Sequence, residues 1–109
     1  MTLAQILQAC HKFSIHEKRV MREEYCEFVI LNNEVDDWLL VLSSVLGPAR
    51  KPRGVEPTRS DLDLTQASGS IRVEQTLFKK EFGDATIIAK FWPWGDDVHT
   101  TIKMALLPS

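Results

Sequence analysis

Ile71-Arg72-Val73-Glu74-Gln75-Thr76-Leu77-Phe78-Lys79-Lys80, Ala85-Thr86-Ile87-Ile88-Ala89-Lys90-Phe91-Trp92 and Val98-His99-Thr100-Thr101-Ile102-Lys103-Met104-Ala105-Leu106 are the runs whose reading decides the fold. In the last of them Val98, Thr100, Ile102, Met104 and Leu106 alternate with His99, Thr101, Lys103 and Ala105. Alternation with period two marks a half-buried strand. The runs are separated by Glu81-Phe82-Gly83-Asp84 and by Pro93-Trp94-Gly95-Asp96-Asp97, short segments rich in turn formers. The stretch reads as a three-stranded antiparallel meander.

Register follows from parity, because a slip by one residue turns every side chain to the other face. A loop of Glu81-Phe82-Gly83, with Gly83 left-handed, sets Phe78 opposite Thr86, Thr76 opposite Ile88, Glu74 opposite Lys90 and Arg72 opposite Trp92. The other face then collects Ile71, Val73, Leu77, Ile87, Ala89 and Phe91. A two-residue Gly83-Asp84 turn mixes the faces and is set aside. A loop of Pro93-Trp94-Gly95-Asp96 keeps the apolar parity in the second hairpin, with Lys90 facing His99 and Ile87 facing Ile102. The apolar face needs a cover, and the N-terminal half supplies helices.

Asn32-Asn33 opens the best of these. Glu34, Asp36 and Asp37 fill its first turn, where the helix dipole favours negative charge. Val35, Trp38, Leu39, Leu42, Val45 and Leu46 make a broad apolar stripe, widened by Leu40 and Val41. Gly47-Pro48 is a stop signal. Thr2 with Gln5 forms a capping box for an earlier helix, whose stripe is Leu3, Ile6, Leu7, Cys10 and Phe13. Arg22 to Leu31 reads as a strand rich in β-branched and aromatic residues. Cys26, Phe28 and Ile30 share one side; Tyr25, Val29 and Leu31 share the other. Ser14 to Arg22 is open between a short helix and a connector, and one helix from Ser14 to Leu31 is the alternative. Residues 47–60, with Pro48, Arg50, Lys51, Pro52, Arg53, Gly54, Pro57 and Arg59, read as an exposed Pro/basic loop.

The expected fold is therefore α+β: one domain over residues 1–109. It has a three- to four-stranded antiparallel sheet covered by two or three helices. A hydrophobic content of 44% supplies one core at this length. A net charge of −2 and a pI of about 5.9 argue against a general polyanion binder, so nucleic acid is an improbable partner. No apolar run approaches a membrane span, and residues 1–13 lack the pattern of a signal peptide. The expectation is a cytoplasmic protein without membrane association. Cys10 and Cys26 read as core thiols in a reducing compartment.

Chemistry is sparse. Cys10, His11, His16, Cys26 and His99 match no zinc spacing, and the five glycines stand apart, so no phosphate cradle forms. No cofactor or metal is expected. Asp96-Asp97-Val98-His99 could carry acid–base work, but a hairpin tip seldom excludes water. Arg50, Lys51, Arg53 and Arg59 form a weak anion-binding set. The most suggestive feature is Trp92-Pro93-Trp94, which the register places with Phe78 and Ile88 on the face away from the core. Aromatic side chains on a surface are typical of protein contacts. The leading expectation is a non-enzymatic interaction protein binding a protein partner, or a second copy of itself, through Phe78, Ile88, Trp92 and Trp94. An anion-binding domain using the basic loop is second, and an enzyme using Asp96, Asp97 and His99 third.

Overall fold

Five strands make one antiparallel sheet in the order β1-β2-β5-β4-β3. The computed structural model describes residues 1–108. The strands are β1 (Glu17–Met21), β2 (Tyr25–Leu31), β3 (Thr76–Phe82), β4 (Ala85–Pro93) and β5 (His99–Pro108). The helices are α1 (Leu3–Ala9), α2 (Val35–Leu46) and α3 (Arg59–Thr65). The fold is α+β, with one strand more than the sequence reading allowed. The extra strand is β1, in the segment left open above. It is short, charged and bulged between Lys18 and Val20. Those features suit a sheet edge, because they discourage pairing with another chain.

The front of the sheet carries the main core. Cys26, Phe28 and Ile30 of β2, Ile87, Ala89 and Phe91 of β4, and Ile102 and Met104 of β5 meet Trp38, Leu42 and Leu46 of α2. Ile87 and Ile102 are fully buried and Met104 nearly so, as the α2 stripe predicts. α1 adds Leu3, Ile6 and the Cys10 at its end to the same face. Its Thr2 capping box is formed. Trp38 lies between Phe13 and Phe28, with ring centroids 5.6 and 5.3 Å away. Leu40, in contrast, stands 71% exposed, so the α2 stripe is narrower than expected.

The β3–β4 hairpin departs from the expected register. Phe82 pairs with Ala85, so the turn is the two-residue Gly83-Asp84. Gly83 takes φ +64°, as the first central position of a II′ turn requires. The chain before Thr76 leaves the sheet, and neither Glu74 nor Arg72 enters a strand pair. Leu77 consequently faces Lys90, and Phe78 faces Ala89 on the core side. A two-residue turn here mixes apolar residues between the faces, and the structure accommodates it because both faces are covered. On the back, Ile71, Leu77, Ile88 and Ala105 form a second buried cluster with Tyr25, Leu64 and Leu107 against it. The β4–β5 pairing keeps the expected parity but slides by four residues, opposing Phe91 to Ile102 and Ile87 to Leu106. A Cβ on Gly83 would meet no neighbour within 4 Å, so only backbone strain opposes one. Gly83→Ala is expected to lower stability by about 1–2 kcal/mol in urea titration.

Residues 47–60 are not wholly exposed. Lys51 pairs with Leu77 at the free edge of β3, with backbone hydrogen bonds of 3.2 and 2.9 Å. Its side chain is buried to 1% exposure and donates to the carbonyls of Pro52, Val73 and Gln75. On the back of the sheet Lys90 is equally buried and donates to the carbonyls of Ser68 and Ser70. Two ammonium groups thus pin residues 66–75, a segment with no strand partner of its own. No helix is long and apolar enough to cross a membrane among the described residues.

Candidate ligand-binding surface

The last hairpin folds its tip back onto the outer face of the sheet. Asp96 organises the bend: one carboxylate oxygen accepts the backbone N–H groups of Val98 and His99, at 2.9 and 3.0 Å. The other lies 2.7 Å from His99 Nδ1. The His99 side chain and then those N–H groups hold the Asp96 carboxyl well below the usual carboxylate range. His99 in turn supports Trp94. The indole stacks on the imidazole at 4.5 Å between centroids, and Nε1–H donates to Thr101 Oγ1 at 2.7 Å. Trp94 still keeps 44% of its surface in water. His16 also approaches His99, at 5.2 Å between centroids.

A hollow of about 380 Å³ opens beside Trp94, lined by Arg19, Glu27, Trp92, Trp94, Thr101 and Lys103. β1 supplies Arg19, which lies 5.4 Å from the Trp94 ring centroid and 2.6 Å from Glu17. β2 supplies Glu27, which accepts the Tyr25 hydroxyl at 2.8 Å. Burial first, then the Glu27 contact, pushes the Tyr25 hydroxyl pKa up. β5 places Lys103 directly opposite Glu27 on one side and Lys90 on the other. Lys103 Nζ stands 4.5 Å above the Trp92 ring. Gly69, at φ +93°, passes so close that a Cβ there would sit 3.3 Å from Lys103 Nζ. Burial, and then the charge on Lys103, bring the Lys90 pKa down to about 8, with Glu27 pulling the other way.

The sequence-derived residues are divided by this geometry. Trp92 and Trp94 come together at the hollow. Phe78 and Ile88 are each 2% exposed, and they lie in separate cores on opposite faces, so no Phe78–Ile88–Trp92 diagonal reaches solvent. The basic set does not gather. Lys51 is spent on carbonyls, and Arg50 binds Asp61 at 2.7 Å and Ser60 at 2.9 Å. Arg59 is 90% exposed along α3. Arg53 lines a different cleft of about 300 Å³, with Asp36, Glu74 and Asp97 among its neighbours. Asp97 therefore does not converge with His99 and Asp96 on the outer face. A third opening, an apolar groove of about 500 Å³, lies between α1 and the β1–β2 hairpin, with Leu7, Met21 and Cys26 in its walls. Cys10 and Cys26 are free buried thiols, and burial pushes Cys10 up to about 11. Among the described residues no cluster of three or more His, Cys, Asp or Glu is placed to hold a metal.

Sequence reasoning missed Arg19, Glu27 and Lys103. Lys103 and Glu27 alternate with core residues, and that signal was available. Arg19 had none, because its strand was not legible. No family model, no curated protein and no solved structure matches the chain.

Proposed function

We propose that this protein is a non-enzymatic recognition domain that binds its ligand in the outer-face hollow between Trp92 and Trp94. The observation that carries this reading is the state of Trp94. An indole left in water on a hairpin would ordinarily move among rotamers. This one is held by a hydrogen bond to Thr101, a stack on His99 and a cation from Arg19, yet remains 44% exposed. A rigid, exposed aromatic loses little entropy on binding, which is why such residues dominate recognition surfaces. The Asp96–His99 pair belongs to this support: its carboxylate is committed to three contacts that shape the bend. Large apolar side chains that remain exposed, such as Met21, Leu40, Leu62 and Trp94, come from separate elements of the chain. That distribution favours a compact ligand group over the wide apolar face of a permanent dimer.

A fragment screen read by amide and indole NMR shifts tests the reading. Hits are expected to move the side-chain N–H signals of Trp92 and Trp94 and the amides of Arg19, Glu27, Thr101 and Lys103. Hits confined to the groove beside Met21 or the cleft beside Arg53 would overturn it.

A further inference from the structure

We infer that the ligand of this hollow is a small organic anion in which a charged group is joined to a planar ring, as in a nucleoside monophosphate or an aromatic carboxylate. The inference rests on the recognition reading above and adds its chemistry.

Charge comes first. Lys90 and Lys103 stand directly opposite each other on adjacent strands. Like charges in that position repel, and neither lysine has a carboxylate within ion-pair distance among the described residues. Lys90 is buried, and its ammonium is committed to Ser68 and Ser70. Lys103 is different. It is half-buried, 3.5 Å from the Ser68 carbonyl, with its remaining donors directed to no acceptor that the described residues supply. Among the lining residues Arg19 and Lys103 outweigh Glu27, and Lys90 adds a further cation behind the floor. An anion near Lys103 would satisfy its donors and relieve the repulsion with Lys90.

Size and shape come second. A hollow of about 380 Å³ holds on the order of ten waters, far more than a bare phosphate or carboxylate displaces. The remaining wall is indole, from Trp92 and Trp94, which suits a flat ring. Arg19 and Lys103 now rest over those indoles. Exposed cation–π contacts are weak, so Lys103 is free to turn from the ring face to an arriving anionic group, while Arg19, held by Glu17 at 2.6 Å and 3.9 Å from Glu27, stays over Trp94. Glu27 opposes a second negative charge at its end of the hollow, which limits the ligand to one compact anionic group.

The test is a titration followed by the Trp92 and Trp94 indole N–H signals, with adenosine monophosphate, indole-3-acetate, adenosine, and inorganic phosphate as separate probes. At least one of the two joined probes is expected to bind about tenfold or more tighter than adenosine or phosphate alone. Lys103→Met is expected to weaken that probe about tenfold while melting no lower than the unaltered protein, since it removes a like-charge neighbour of Lys90. Trp92→Leu, which keeps the charges, is expected to weaken it as well. Adenosine binding as tightly as the monophosphate, an unchanged affinity in Lys103→Met, or no response to any probe at millimolar concentration would each overturn the inference. Neutral or cationic fragments that bind beside Trp94 in the same protein would leave the recognition reading standing while removing this one.

Discussion

Lys51→Met is expected to lower folding stability by about 1–3 kcal/mol. Lys51 is 1% exposed, and its ammonium donates to Pro52 at 2.9 Å, to Val73 at 3.0 Å and to the Gln75 carbonyl. Methionine keeps most of the aliphatic stem and removes the head, so the Gln75 carbonyl loses its donor, while Val73 keeps the Gly54 N–H and Pro52 the Val55 N–H. A buried carbonyl left without a donor costs about 1–3 kcal/mol. The Val73 and Gln75 carbonyls belong to the segment that leads into β3, and the backbone of Lys51 caps the free edge of that strand at Leu77. The substitution therefore loosens residues 66–75 and the edge together. Arg59→Ala is the contrasting case. Its side chain is 90% exposed and its 3.5 Å contact with Asp63 spans one helical turn, so a change under about 1 kcal/mol is expected. Urea denaturation of both variants checks the contrast; a loss below about 1 kcal/mol in Lys51→Met would show that water replaces the ammonium.

Lys90 is expected to make the protein more stable as pH rises from about 8 to about 10.5. Burial, reinforced by Lys103, depresses its pKa to about 8 from 10.5. Between those values the unfolded chain holds a proton that the folded chain has released, so stability increases with pH. Below about 8 both states are protonated and the cost of the buried charge is fully present; above about 10.5 both are neutral. The span is worth about 3 kcal/mol. Cys10 works in the opposite direction, because burial raises its pKa from 9.0 to about 11 and the unfolded thiol ionises first. Comparing the protein with Lys90→Met at each pH cancels that contribution. The stability difference between the two is expected to move by about 3 kcal/mol in favour of the lysine form across the window. A flat difference would mean that the Ser68 and Ser70 carbonyls keep the ammonium charged throughout.

Much of the front of this molecule was legible because hydrophobic periodicity is a local property. Trp38, Leu42 and Leu46 recur at helical spacing and land on Ile87, Ile102 and Met104, which recur at strand spacing. Cys26, Phe28 and Ile30 joined the same face for the same reason. The back was not legible. Leu77 and Ile88 lie on a face whose cover is the segment from α3 to Ile71, and no periodicity marks that segment. With the two faces expected to differ, the Gly83-Asp84 turn looked wrong and a shared outer face for Phe78 and Ile88 looked right. Both judgements reversed once the second cover was in place.

The candidate surface divides similarly. Trp92 and Trp94 stood out as aromatic residues around a proline, and the structure keeps them together at one hollow. Arg50, Lys51, Arg53 and Arg59 stood out as a charge cluster, and the structure scatters them, one into a carbonyl cage and one into an ion pair with Asp61. Clustering along the chain does not imply convergence of side chains, because a loop can turn successive residues in opposite directions. Arg19 and Glu27 lie on one hairpin, and Lys103, far off in sequence, meets them only through the order of strands β1, β2 and β5.

The amino-acid order by itself determined α1, α2, β2, β4 and β5, the greasy side of the last two strands and the rod that seals it, since each depends on neighbours within a turn or two of chain. Strand order, the slide of the last hairpin and the burial of two lysines beneath backbone carbonyls depended on which distant segments compete for the same surface. Only the packed chain resolves that competition, because the free energy of covering the second face is shared among residues that no local pattern connects.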